Sequence, residues 1–213
     1  MKKYLSLIKF SHTIFALPFA IIGFFLSYPE SDFSYLTFIY VMMCMVFARS
    51  AAMAFNRYID KDIDAINPRT SEIREIPSKK IKPSAALKFV ILNSILFIIT
   101  TFLINQLCFL LSPIALIIIL GYSYTKRYTF LCHFVLGIGL SLSPIGAYLA
   151  VTETFDILPM YFSMIVLFWV AGFDIIYSLQ DEKFDTENHL NSIPVYLGKK
   201  NALLLSRFLH FIS

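Results

Sequence analysis

Several signals that usually betray function are missing from this chain. It holds only three cysteines, Cys44, Cys108 and Cys132, all inside apolar runs and without CxxC or zinc-type spacing, so neither a disulfide framework nor a zinc site is implied. The four histidines, His12, His133, His189 and His210, show no HxxxH or HExxH spacing, which argues against a metal role for them. There is no GxSxG elbow and no P-loop, and the Ser, His and Asp residues form no hydrolase signature. Charged residues are scarce, at 15% of the chain. The stretches Pro29 to Tyr35, Asn105-Gln106 and Thr152 to Asp156 contain no lysine or arginine at all. The formal net charge of +4 comes from basic residues gathered in the other loops, so nucleic-acid binding is not indicated.

What is abundant is hydrocarbon. Hydrophobic residues make up 58% of the 213 positions and aromatics 16%, and the mean hydropathy is +0.71, far above a typical soluble domain. Six runs read as spanning helices: about Thr13 to Tyr28, Leu36 to Phe55, Ala85 to Ile104, Leu107 to Tyr122, Phe130 to Val151 and Ile157 to Leu179. Most approach the ~20 residues needed to cross a ~30 Å bilayer at ~1.5 Å per residue, the first and fourth being short. The first run follows Lys2, Lys3 and Lys9 as a secretory signal would, but no small-x-small site follows it, so cleavage is not expected. Nearly all basic residues fall at the N-terminus, after the second run, after the fourth (Lys126, Arg127) and after the sixth. By the positive-inside rule this alternation predicts six spans with a cytoplasmic N-terminus. Ala48, Ser50, Ala51, Ala52 and Ala54 would let helices approach closely near the end of the second span.

Two aspartate-rich stretches, Asn56 to Asp64 and Asp174 to Asp185, follow directly on spans two and six, and the alternation puts them on the same side. An acidic side chain at a membrane boundary is costly unless a cation or hydrogen-bond donor takes up its charge. At about 100° per residue, Asn56, Asp60 and Asp64 fall within about 80° of arc while Asp62 points away, and Asp174, Tyr177, Asp181 and Asp185 share a similar arc. Two oxygen-rich stripes without histidine or thiolate suit magnesium, which binds through one or two carboxylates and completes its shell with water and phosphate. One such cluster alone would read equally well as a solvated helix end paired to lysines; two of them facing basic loops favour a metal site.

These same residues resemble a family. Asn56 to Thr70, NRYIDKDIDAINPRT, resembles the first aspartate motif (NxxxDxxxD) of the UbiA intramembrane aromatic prenyltransferases, and Asp174 to Asp185, DIIYSLQDEKFD, resembles the DxxYxxQDxxxD motif of the 4-hydroxybenzoate polyprenyltransferase branch. Further similarity runs through Tyr122 to Arg127, His133 to Gly137, Pro144 to Ala147, Ser192 to Pro194 and Gly198, from about Phe10 to Leu203 in all. Two positions depart from the family pattern: Asn191 stands where a basic residue or histidine is usual, and Arg74-Glu75-Ile76-Pro77 replaces Arg-Pro-Leu-Pro.

The resemblance implies a single all-α, polytopic membrane domain over residues 1–213, with six complete spans and the start of a seventh, in a family that normally has nine. It implies two Mg2+ ions held by Asn56, Asp60, Asp64, Asp181 and Asp185. Arg69, Arg74, Lys126 and Arg127 would contact the diphosphate of a polyprenyl donor, and Asp174 and Tyr177 would orient the acceptor or stabilise the allyl cation. The expected partners are a polyprenyl diphosphate, an aromatic acid of hydroxybenzoate or dihydroxynaphthoate type, and the lipid bilayer. The expected setting is ubiquinone or menaquinone synthesis at the cytoplasmic face of a bacterial inner membrane, with the His133 to Gly137 context leaning to menaquinone-type members. Haem farnesyltransferases and chlorophyll synthases fit less well.

The alternatives are fewer. Six apolar spans exclude a soluble chain-elongating prenyl synthase, and a CDP-alcohol phosphotransferase would need a DGxxAR element that is absent. A cation-binding membrane transporter remains, although its acids should lie at mid-span. The sequence stops at Phe211-Ile212-Ser213, where Leu203 to Ile212 is too short to cross a bilayer, so a C-terminally truncated chain that keeps both motifs but turns over little is expected.

Overall fold

The computed structural model describes residues 2–27 and 34–213, apart from the side chains at 2, 10, 12 and 15, so most of the stretch from Pro29 to Tyr35 and the side chain of His12 lie outside the described residues. The chain runs α1 (Lys2–Leu7), α2 (Phe10–Phe25), α3 (Tyr35–Ile59), α4 (Lys61–Ile66), α5 (Pro83–Ile104), α6 (Gln106–Thr125), α7 (Cys132–Thr152) and α8 (Ile157–Ser178), then a 3-10 turn (Leu179–Asp181), α9 (Glu182–Glu187) and α10 (Ile193–Ile212). No strand occurs among the described residues. α3, α5, α6, α7 and α8 are long and apolar enough to cross a membrane, the last continuing as one apolar stretch to Glu187. α2 contributes a shorter apolar segment, Ala16–Phe25. The protein is thus an all-helical bundle of the polytopic membrane type.

Helix limits follow local chemistry. Ser34, Asn105, Asp156 and Ser192 cap α3, α6, α8 and α10, each side-chain oxygen accepting from a backbone N–H in the first turn. Asn105 does a second job, because its Nδ2 donates to the carbonyl of Leu149 at 2.9 Å and ties the α5–α6 corner to α7. α10 starts ten residues before the apolar run that the sequence showed, since Ser192 caps it and Pro194 lies in its first turn. Gly198 interrupts it with φ +74°, a conformation that disfavours any Cβ.

Around the bundle α2, α3, α5, α6 and α7 pack in a closed ring, with α8 against α7 and α10 against α8. Close approach depends on glycine at two crossings. A Cβ on Gly23 would lie 2.3 Å from the carbonyl oxygen of Pro144, and one on Gly137 would lie 2.6 Å from that of Leu167. Backbone meets backbone there, so α7 is held tightly between α2 and α8. The buried Ser50, Ala51, Ala52 and Ala54 give α3 the same low profile just before its polar end.

Candidate functional site

At one end of the bundle the two aspartate stretches face each other across a cavity of about 500 Å³. Asn56, Asp60, Arg69, Arg74, Lys126, Asp174, Tyr177 and Asp181 line it, whereas Asp64, Asp185 and Arg127 stand behind the lining. The cavity meets a second, apolar one of about 170 Å³ between α3, α5, α6 and α7, and Arg49, Tyr122, Leu136 and Leu140 border both.

The first stretch is not one continuous helix. Asp60 leaves helical geometry (φ −87°, ψ 8°), ending α3, and α4 restarts at Lys61. A 2.7 Å bond from the Asp64 N–H to the Asp60 carbonyl carries the four-residue step across the break. Asn56 Nδ2 donates to Asp60 Oδ2 at 2.9 Å. Asp62 points outward, its side chain 78% exposed beside Lys61. In the second stretch α8 tightens into the 3-10 turn, which carries Asp181, and α9 then carries Asp185 into full burial.

Each of the four carboxylates has its own cation. Arg127 lies 3.7 Å from Asp60, Arg74 is paired with Asp64, and Lys126 lies 2.7 Å from Asp185. Arg69 grips Asp181 in a bidentate pair, its Nε donating to Oδ1 at 2.9 Å and its Nη2 to Oδ2, while its guanidinium stands over the Tyr177 ring. That pairing raises the Arg69 pKa still further above its ordinary value. The loop 67–82 supplies these arginines in fixed positions. Asn67 Nδ2 donates to Asp181 Oδ1 at 3.1 Å, the Arg69 N–H returns to Asn67 Oδ1, and the Thr70 hydroxyl donates to the Asp64 carbonyl at 3.0 Å. Ile76 and Ile81 then bury against Leu7, Ile8 and Met53, and the Ser6 hydroxyl donates to the buried Glu75. The departure at Glu75-Ile76 is therefore absorbed by α1. Asn191, the other departure, is not aimed at the cavity: its N–H donates to the Lys126 carbonyl at 2.9 Å and its Nδ2 to that of Arg127 at 3.3 Å, fixing the basic pair.

Among the described residues no three His, Cys, Asp or Glu side chains converge at metal-binding distances, and each of the four carboxylates is paired with a cation. The residues nevertheless fit a hard cation. Asp64 Oδ2 and Asp185 Oδ2 are buried without a hydrogen-bond partner, and Lys126 approaches Asp185 Oδ1 off the hydrogen-bonding direction. Burial, reinforced by the neighbouring Asp64 charge, pushes the Asp60 carboxyl up to about 6 against the pull of Arg74, Arg127 and Lys126. These are oxygens in want of positive charge.

Two participants, Arg49 and Asn67, escaped the sequence reading, and a third, His133, was legible only as a residue near the acceptor. Arg49 sits two turns before Asn56 on the same face of α3, its Nε buried without a partner; a lone arginine inside an apolar span was the signal. Asn67 became visible only through its bond to Asp181. His133, assigned no metal role, has its ring Nδ1 2.7 Å from Asp174 Oδ2.

The fold and site define a helical membrane bundle with paired carboxylates and cations around one cavity, and comparison with known proteins identifies the kind. The UbiA prenyltransferase family model matches residues 16–213, and the chain belongs to that family. It is 31% identical over 161 residues to a 4-hydroxybenzoate octaprenyltransferase of Vesicomyosocius okutanii, covering 76% of this chain and 59% of that protein. A protein of the same description from Aliivibrio fischeri is 28% identical over 164 residues, with 76% and 56% covered. The chain thus spans a little over half the length of these curated relatives. The solved apo structure of a UbiA homologue from Aeropyrum pernix K1 superposes with a TM-score of 0.88 at 36% identity, over 95% of this chain and 75% of that one. A UbiA homologue from Archaeoglobus fulgidus, solved with GPP and Mg2+, shares the fold at 22% identity and a TM-score of 0.80, over 97% and 73% of the two chains.

Proposed function

We propose that the protein transfers a polyprenyl group from a polyprenyl diphosphate to an aromatic carboxylic acid in quinone biosynthesis, with both aspartate stretches at the cytoplasmic face of a bacterial inner membrane. The observation that carries this reading is the matching of four carboxylates by four cations around a cavity that opens on an apolar one. Asp60, Asp64, Asp181 and Asp185, with Asn56, would hold Mg2+, which when bound supplies neutralising charge for the departing diphosphate. The residues themselves suit an exchange of partners. With the carboxylates on a metal, the cations that now pair with them, Arg69, Arg74, Lys126 and Arg127, would be free to donate to diphosphate oxygens. The apolar cavity, walled by side chains such as Val41, Phe97 and Leu111, is suited to the isoprenoid tail and keeps water from the allyl cation.

The acceptor would lie between the two ends. Arg49, about 10 Å deeper than Asn56 at ~1.5 Å per residue, is half-buried with its Nε unpartnered and suits the acceptor's carboxylate. Asp174 and Tyr177, on the facing helix, would orient its hydroxyl. A cation transporter is disfavoured because the acids gather at one end of the helices and not at mid-span. The discriminating experiment is binding of a non-hydrolysable prenyl thiodiphosphate to the protein in lipid nanodiscs. Magnesium-dependent binding is expected; magnesium binding indifferent to the lipid diphosphate would support the transporter and defeat the transferase reading.

A further inference from the structure

His133 opens α7 and is 2% exposed, yet both of its ring nitrogens are engaged. The backbone N–H of Ile193, in the first turn of α10, donates to Nε2 at 3.2 Å. A nitrogen that accepts a hydrogen bond carries no proton, so the proton of the neutral ring sits on Nδ1 and is donated to Asp174 Oδ2 at 2.7 Å. Three helices thereby fix one carboxylate: α10 sets the histidine tautomer, α7 carries the ring, and α8 carries Asp174. With Oδ2 occupied, Oδ1 is the oxygen left to the cavity that Asp174 lines.

We infer that His133 is a positioning residue that aims Asp174 at the hydroxyl of the aromatic acceptor. This rests on the aromatic-acceptor reading above and adds what no motif indicates. A phenolic hydroxyl donating to a carboxylate pushes electron density into its ring, most usefully at the carbon beside it. There the new C–C bond forms as the allylic C–O bond breaks with its electron pair going to the diphosphate, and the ring proton is lost afterwards to solvent. Asp174 takes no proton in this scheme and serves to orient and polarise. A carboxylate free to rotate would contact the hydroxyl only part of the time.

The geometry supplies its own controls. The side-chain amide of Asn reaches the Nδ1 position and can donate to Asp174, whereas Gln reaches the Nε2 position and can accept from Ile193 but leaves Asp174 undirected. The test measures binding of 4-hydroxybenzoate and of benzoate to the nanodisc-embedded protein loaded with Mg2+ and a prenyl thiodiphosphate. Wild type is expected to prefer the hydroxylated acid by about tenfold or more, as hydrogen bonds to charged groups do. H133N should keep most of that preference and H133Q should lose it, with thiodiphosphate affinity unchanged in both. Equal preference in wild type and H133Q overturns the role of His133 while leaving the acceptor reading intact. Loss of thiodiphosphate binding in both variants overturns it in favour of a purely structural histidine. A wild type that binds neither acid defeats the acceptor reading and this inference together.

Discussion

The two aspartate stretches are built on one plan and finished differently. In each, a front carboxylate at the edge of the cavity (Asp60, Asp181) is followed four residues later by a back carboxylate (Asp64, Asp185) that is almost fully buried and has an oxygen without a partner. In each, a long helix ends and a six-residue helix resumes. The front pair differ in support. Asp181 accepts three hydrogen bonds, one from Asn67 and two from Arg69, all reaching over from the loop of the other stretch. Asp60 has one bond from its own neighbour Asn56 and a distant Arg127. The second stretch is thus clamped by the first, while Asp60 keeps its need for charge.

The hardest blow to this pairing is removal of a carboxylate. Asp60→Ala, Asp64→Ala, Asp181→Ala and Asp185→Ala should each cost about 100-fold or more in prenyl transfer, measured in membranes at saturating magnesium with matched expression, through several kcal/mol of lost charge stabilisation. Chelating the metal should abolish transfer. Arg49→Gln should weaken binding of the aromatic acid about 10- to 100-fold and that of its neutral amide far less, which titration in nanodiscs would reveal. The same titration across pH sharpens the contrast between the front carboxylates. A proton competes with the metal at Asp60 below about 6, so magnesium affinity should fall by up to about tenfold per pH unit there. Because that carboxyl is raised above its ordinary value, the metal-free protein should lose thermal stability as pH climbs from about 4 to 6, and added magnesium should restore it.

Loosening the clamp is a milder test. Asn67→Ala removes one of the three bonds on Asp181 and should weaken magnesium-dependent thiodiphosphate binding by about fivefold, an effect on the order of one hydrogen bond. Asp62→Ala should stay within about twofold of wild type in prenyl transfer, since its side chain faces solvent. If Asp62→Ala proved as damaging as Asp60→Ala, the assignment of faces would be wrong.

How much was legible beforehand depended on the range of the interaction concerned. Spans two to six appeared within a few residues of their helices because a long apolar run is a local property; α10 did not, because Gly198, Lys199, Lys200 and Asn201 separate its short first turn from the apolar run, and that turn is stabilised by the Ser192 cap and by contact with α8. The facing residues of the first stretch were readable from helical spacing even though Asp60 breaks the helix, since a single hydrogen bond preserves the step. Arg49 was present in plain sight inside an apolar span, yet its solitude is a fact about neighbours.

The sequence by itself determined an all-helical membrane chain with two acidic stripes and basic loops, because hydropathy, charge placement and the period of 3.6 are written along the chain. Which cation meets which carboxylate was decided only by the tertiary structure: Arg69 reaches Asp181 across 112 positions and His133 reaches Asp174 across 41. The physical reason is that ion pairing and hydrogen bonding are set by distances of about 3 Å, which a linear pattern does not encode until helix packing has brought the partners together.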